Sequence, residues 1–132
     1  MEAATSRKKW VGQSIKRVED PRLLTGRGTF VDDLTLPKLH HAAILRSPHA
    51  HARIVSIDAS KAEALAGVVG VVHGKHVEQY STAFPLGVAA PVKYWSCVVD
   101  KARFVGEPVA VVVATDRYIA EDACELIDVE YE

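Results

Sequence analysis

The sequence has little of what would make it a disulfide-stapled, membrane-spanning or nucleic-acid-binding protein. Its two cysteines, Cys97 and Cys124, stand far apart and in no Cys-x-x-Cys pattern. They therefore suggest neither a disulfide framework nor an iron–sulfur or zinc site. No window reaches the ~18 apolar residues of a membrane span, and Arg7-Lys8-Lys9 is followed by no apolar signal core. The net charge is -1, with both signs mixed along the chain. The electrostatic footprint of a nucleic-acid binder is missing. Phosphate loops are missing too. Thr25-Gly26-Arg27-Gly28 has two glycines but is neither a Walker A loop nor a Gly-x-Gly-x-x-Gly fingerprint. There is no Gly-x-Ser-x-Gly elbow. The expected setting is the cytoplasm, with no membrane and no nucleic acid as partner.

What is present suits one globular domain or a piece of one. The 132 residues are 48% hydrophobic and 25% charged, enough for a core and inconsistent with wholesale disorder. The most informative stretch is Gly106-Glu107-Pro108 running into Val109-Ala110-Val111-Val112-Val113-Ala114. An apolar, mostly β-branched run of this kind reads as a strand buried on both faces. Pro108 has no N–H to give a ladder, so it marks the strand's first position. Gly106 supplies a backbone able to bend sharply. Further strands are expected near 39–46, 52–58, 68–72 and 127–131, and a short one at Phe30-Val31. Ser60-Lys61-Ala62-Glu63 has capping-box spacing and predicts a helix near 61–66, stopped by Gly67. Thr115-Asp116 can cap a second helix over 116–126, with Ile119, Ala120, Ala123 and Leu126 on its apolar face. Asp20-Pro21 signals a turn. Residues 73 to about 97 read as a long loop carrying Pro85, Gly87, Pro91 and the aromatics Tyr80, Phe84, Tyr94 and Trp95. The fold class is α+β, a mixed sheet with two main helices on one side. Residues 1–10 read as a flexible tail around Arg7-Lys8-Lys9. The final strand runs to the last residue, the expected sign of a truncated chain or one piece of a split protein.

Candidate chemistry is sparse. His49-Ala50-His51 would set two imidazoles on one face of a strand, a usable metal geometry, with His40-His41 nearby. No third ligand is specified, and Arg46 and Arg53 flank the pair. The competing reading is a turn whose His and Arg side chains bond loop carbonyls or a partner. Glu107, beside a glycine at the mouth of an apolar strand, is a candidate general base. Alternatively its carboxylate accepts backbone N–H groups of the tight turn or pairs with Arg103. Cys124 reads as a small core residue of the second helix. The carboxylate pairs Glu19-Asp20 and Asp32-Asp33 read as solvated turns. No catalytic, cofactor-binding or metal-ligating residue is assigned.

Three segments together carry a family resemblance. The first is Val11-Gly12-Gln13-Ser14 through Arg17-Val18-Glu19-Asp20-Pro21-Arg22-Leu23-Leu24-Thr25-Gly26-Arg27-Gly28-Thr29-Phe30-Val31-Asp32-Asp33. The second is Leu45-Arg46-Ser47-Pro48-His49-Ala50-His51-Ala52-Arg53-Ile54. The third is Val105-Gly106-Glu107-Pro108-Val109-Ala110-Val111-Val112 with Ala120-Glu121-Asp122-Ala123. In order and spacing they resemble the N-terminal part of the molybdopterin-binding large subunit of the xanthine dehydrogenase and aerobic carbon monoxide dehydrogenase family. The resemblance implies an α/β hammerhead over residues 11–132. It further implies an oxidoreductase, either a molybdenum hydroxylase or a carbon monoxide dehydrogenase, whose molybdenum is held by a pterin dinucleotide. Iron–sulfur clusters and FAD are then expected on sister subunits. The family's pterin-binding and catalytic region would follow residue 132, so this chain is expected to hold no cofactor and to be inactive alone. Its implied partners are the molybdenum-binding large-subunit region, the iron–sulfur subunit and the flavin subunit. The alternative is a standalone interaction or scaffold module of the same fold.

Overall fold

A computed structural model describes residues 10–85, 87 and 93–132. The Arg7-Lys8-Lys9 tail and Pro91 of the long loop lie outside the described residues. The chain divides into two compact units, Met1–Leu36 and Pro37–Glu132.

The first unit contains helix α1 (Asp20–Leu24) and a 3-10 turn at Val31–Asp33. Asp20-Pro21 therefore opens a helix instead of ending in a turn. Proline's fixed φ and missing N–H suit a first helical turn, where the N–H has no partner anyway. The strand expected at Phe30-Val31 does not form. Asp33 folds back instead, its carboxylate accepting the Phe30 N–H at 2.9 Å. None of the described residues of this unit is buried.

The second unit holds β1 (His41–Arg46), β2 (Ala52–Asp58), α2 (Ser60–Glu63), β3 (Val68–His73) and α3 (Gly74–Tyr80). It continues with β4 (Lys101–Ala102), β5 (Pro108–Ala114), α4 (Arg117–Glu125) and β6 (Asp128–Tyr131). The α+β class is as expected. The single mixed sheet is not: there are two three-stranded sheets, ordered β1-β5-β3 and β4-β2-β6. Every pairing among the described residues is antiparallel. Apolar periodicity marks a strand but is blind to its direction and neighbour, which tertiary packing decides. β5 takes the centre of its sheet between β1 and β3, but the burial expected on both faces is complete on one only: Ala110, Val112 and Ala114 are buried, whereas Val111 and Val113 on the other face are partly buried.

Helices α2 and α4 cover one face of the first sheet. Ala62, Val71, Ala110, Val112, Ala123 and Ile127 form the core there. A second cluster joins Val98, Ala102 and Val109. Asp116 caps α4, accepting the Tyr118 N–H at 2.8 Å. The Ser60/Glu63 capping box does not form. Ser60 is the first helical residue, not the cap, and its N–H goes to the Asp58 carboxylate at 3.0 Å. Those Ser60 hydrogen bonds, side chain before backbone, hold Asp58 below the usual carboxylate range.

Helix α3 occupies part of the expected long loop. Its start is fixed by contact: a Cβ on Gly74 would lie 2.0 Å from the Val98 carbonyl oxygen. Only glycine lets β3 pass directly into a helix against that backbone. Phe84 and Tyr94, aromatics of the same stretch, meet at 6.0 Å between ring centroids, and the Phe84 N–H donates to the Tyr94 carbonyl. Among the described residues no helix is long and apolar enough to cross a membrane.

Candidate functional site

The residues singled out by sequence converge on two facing turns, 46–51 after β1 and 103–108 before β5. Gly106 has φ 88°, in the left-handed region where glycine is at ease and other residues are strained. Its N–H donates to the Ser47 carbonyl at 2.8 Å, and the Ser47 N–H donates to the Glu107 carbonyl at 2.9 Å. The Arg46 guanidinium closes the arrangement, donating to the Gly106 carbonyl at 2.9 Å. The two turns are thereby latched together at the end of the β1–β5 ladder.

Glu107 is 4% exposed, and its carboxylate accepts the Arg103 backbone N–H at 2.5 Å. This is the structural role weighed from sequence. The Arg103 side chain does not pair with it, reaching instead the Lys101 carbonyl and the Asp100 carboxylate. Ser47 is also buried. Its hydroxyl accepts the His49 N–H and donates to the His49 carbonyl, both at 3.1 Å. The Tyr131 phenol is pushed up by burial, with a weaker opposite pull from the nearby Ser47. Sequence reading took Ser47-Pro48 only as a strand end. A serine two residues before a backbone N–H it can cap is the signal that could have found it.

His49 and His51 lie in the turn between β1 and β2, not on a strand. The His49 ring packs edge-on against Tyr131 with centroids 4.7 Å apart. His51 lines a separate open cleft of about 230 Å³ with Ala52, Arg53, Lys101 and Glu132. The pair sits in a turn, as the second reading expected, but split between two surroundings; the carbonyl bond that reading anticipated is made by Arg46 to Gly106. Among the described residues no group of three or more His, Cys, Asp or Glu side chains is placed to hold a metal ion. Burial pushes both thiols up, Cys97 in the core and Cys124 against it, which favours the protonated form over the reactive thiolate. The polar atoms of the latch are spent on one another. The arrangement fixes a turn; it presents no nucleophile paired with a base.

Residues 25–132 match the family described as aldehyde oxidase and xanthine dehydrogenase, a/b hammerhead domain. The chain belongs to this family. It is 44% identical to the 6-hydroxypseudooxynicotine dehydrogenase complex subunit gamma of Paenarthrobacter nicotinovorans, across 96% of this chain and 17% of that protein. It is also 44% identical to the carbon monoxide dehydrogenase large chain of Afipia carboxidovorans, across 92% of this chain and 15% of that one. The crystal structure of quinoline 2-oxidoreductase from Pseudomonas putida 86 superposes with a TM-score of 0.77 at 50% identity, covering 96% of this chain and 16% of that chain. The chain thus spans about a sixth of the length of these relatives, and the hammerhead fold expected from its motifs is confirmed.

Proposed function

We propose that this chain is the hammerhead region of a large subunit of the molybdenum hydroxylase or carbon monoxide dehydrogenase type, with a structural and assembly role in a cytoplasmic oxidoreductase complex. The observation that carries the reading is the match to that one domain over residues 25–132, while the relatives are about six times as long. On this reading residues 11–132 act as one hammerhead region. The molybdenum–pterin dinucleotide, iron–sulfur clusters and FAD sit on the rest of the large subunit, an iron–sulfur subunit and a flavin subunit. Among the described residues no group of three or more His, Cys, Asp or Glu side chains is placed to hold a metal ion, and no chemical step is assigned to them. What they contribute is shape: a latched pair of turns and a two-sheet body.

The test is metal content and dye reduction, measured on the chain alone and on the chain joined to a molybdenum-binding large-subunit region. Molybdenum and activity are expected only in the joined form. Stoichiometric pterin in the 132-residue chain alone would overturn the proposal. So would an unchanged assembled enzyme after residues 37–132 are deleted from it.

A further inference from the structure

Helix α3 is capped by histidines where a capping box ordinarily pairs Ser or Thr with Glu or Gln. The helix has seven residues, too few to be stable on its own in water. It is held by the buried Gly74 and Val77 and by whatever satisfies its first N–H groups. The first turn has no acidic residue to do this. Instead the His73 side chain is turned to the His76 N–H, and the His76 side chain to the His73 N–H. The His76 half closes, its Nδ1 accepting the His73 backbone N–H at 3.3 Å. In the other half His73 Nδ1 is buried and closes no hydrogen bond. The two rings lie 4.2 Å apart between centroids.

A hydroxyl and a carboxylate keep their acceptor lone pairs down to about pH 4. An imidazole accepts at Nδ1 only while neutral with its proton on Nε2; once protonated, both ring nitrogens donate. Histidine is the side chain whose ordinary change of charge falls between about pH 5 and 8. A proton on His76 Nδ1 would set a donor against the His73 N–H. It would also put positive charge beside the unpaired N–H groups of a helix start. Burial and then the neighbouring His76 favour neutral His73; Lys75 on α3 acts the same way, and Glu63 on α2 opposes them. The cavity wall beside His73, from Ile54, Val55, Ser56 and Ile57 of β2 and from Val99, carries no charge. A metal ion is the competing use of two imidazoles, and the cap works against it. Ligation through His76 Nε2 would move the ring proton to Nδ1, where the His73 N–H already points.

We infer that the His73–His76 box is an acid release for α3: it holds the helix while both imidazoles are neutral, and protonation of either frees the first turn from the end of β3. The device is internal to the second unit and does not depend on the function proposed above. Helix α4 is its natural comparison. Asp116 caps that helix with a carboxylate, so α4 keeps its cap over the range in which α3 loses its own.

The test is NMR of the 132-residue chain between about pH 7.5 and 5. Imidazole nitrogen shifts should place the His76 proton on Nε2 at the upper end. As pH falls, the Cα shifts of Gly74–Tyr80 should lose about half or more of their helical displacement, while those of Arg117–Glu125 keep theirs. His73→Ser combined with His76→Glu restores an ordinary capping box. With it α3 should stay helical across the range, the spectrum at the upper end showing that the fold is intact. His76→Gln alone should do the same, because its amide oxygen accepts at every pH. Titration of both imidazoles with no change in α3 overturns the inference. So does loss of α3 in both variants at the same pH as in the unaltered chain, or a His76 proton found on Nδ1 at the upper end. Simultaneous loss of α3 and α4 would mean that the whole unit unfolds, and overturns it too.

Discussion

Gly106 and Glu107 carry the sharpest single-residue consequences. Gly106 faces open space, with nothing within 4 Å of a built Cβ, so any substitution cost comes from its φ of 88° and not from crowding. Gly106→Val puts a β-branched residue in the left-handed region and should destabilise by about 1–3 kcal/mol, read from the denaturant midpoint. An unchanged midpoint would show that the turn relaxes freely. Glu107→Ala removes the acceptor of the Arg103 N–H in a buried setting. The expected loss is about 1–3 kcal/mol, with Glu107→Gln milder because its amide oxygen still accepts. If Glu107 were instead a general base, both variants would keep full stability and lose only activity in the assembled enzyme.

At the scale of elements, the junction of β3 and α3 brings two imidazoles together. The His73 and His76 ring centroids are 4.2 Å apart, and His76 Nδ1 accepts the His73 backbone N–H at 3.3 Å. His73 Nδ1 is buried with no hydrogen-bond partner. Burial, then the neighbouring His76 and Lys75, hold the His73 imidazole below its ordinary value of 6.5, against a weaker opposite pull from Glu63. The folded state therefore prefers neutral His73, and the unfolded chain takes up the proton first as pH falls. Stability should be fully present above about pH 6.5 and decline below it, until the depressed folded-state value is passed. Melting curves from pH 7.5 to 5 should show this slope, and His73→Phe should flatten it. A slope unchanged in the variant would assign it to other groups. Elements whose cause is local were legible in the sequence: the β5 run, the Asp116 cap and the positive-φ Gly106 turn. Helix α3 was not, because its reason is the distant Val98 backbone lying against Gly74. Nor was the division into two sheets, because β2 follows β1 closely in sequence yet pairs with β4 and β6. At the candidate site, the turn reading of the histidines and the backbone-accepting role of Glu107 could be read ahead, since each rests on neighbours in sequence. The Ser47 bond to its neighbour His49 is a local turn pattern, but its burial depends on the facing turn at Gly106 and Glu107, which no local pattern announces.

At the scale of the molecule, the joints are long-range. β5 at 108–114 pairs with strands that begin at His41 and Val68. Such pairings make loop closure, not local propensity, the slow event. Refolding measured by stopped flow should therefore fall in the milliseconds-to-seconds range of sheet-dominated domains, not in microseconds. A microsecond phase that recovers the full native signal would contradict this. The same arrangement has a consequence for how the protein is made. Synthesis releases β1 and β3 before β5, the strand that separates them, and at about 5–20 residues per second the wait lasts several seconds. During it, two apolar strands hold open edges with no centre to receive them. A nascent chain halted before Pro108 should accordingly be a chaperone client, and one extended past Ala114 should be released.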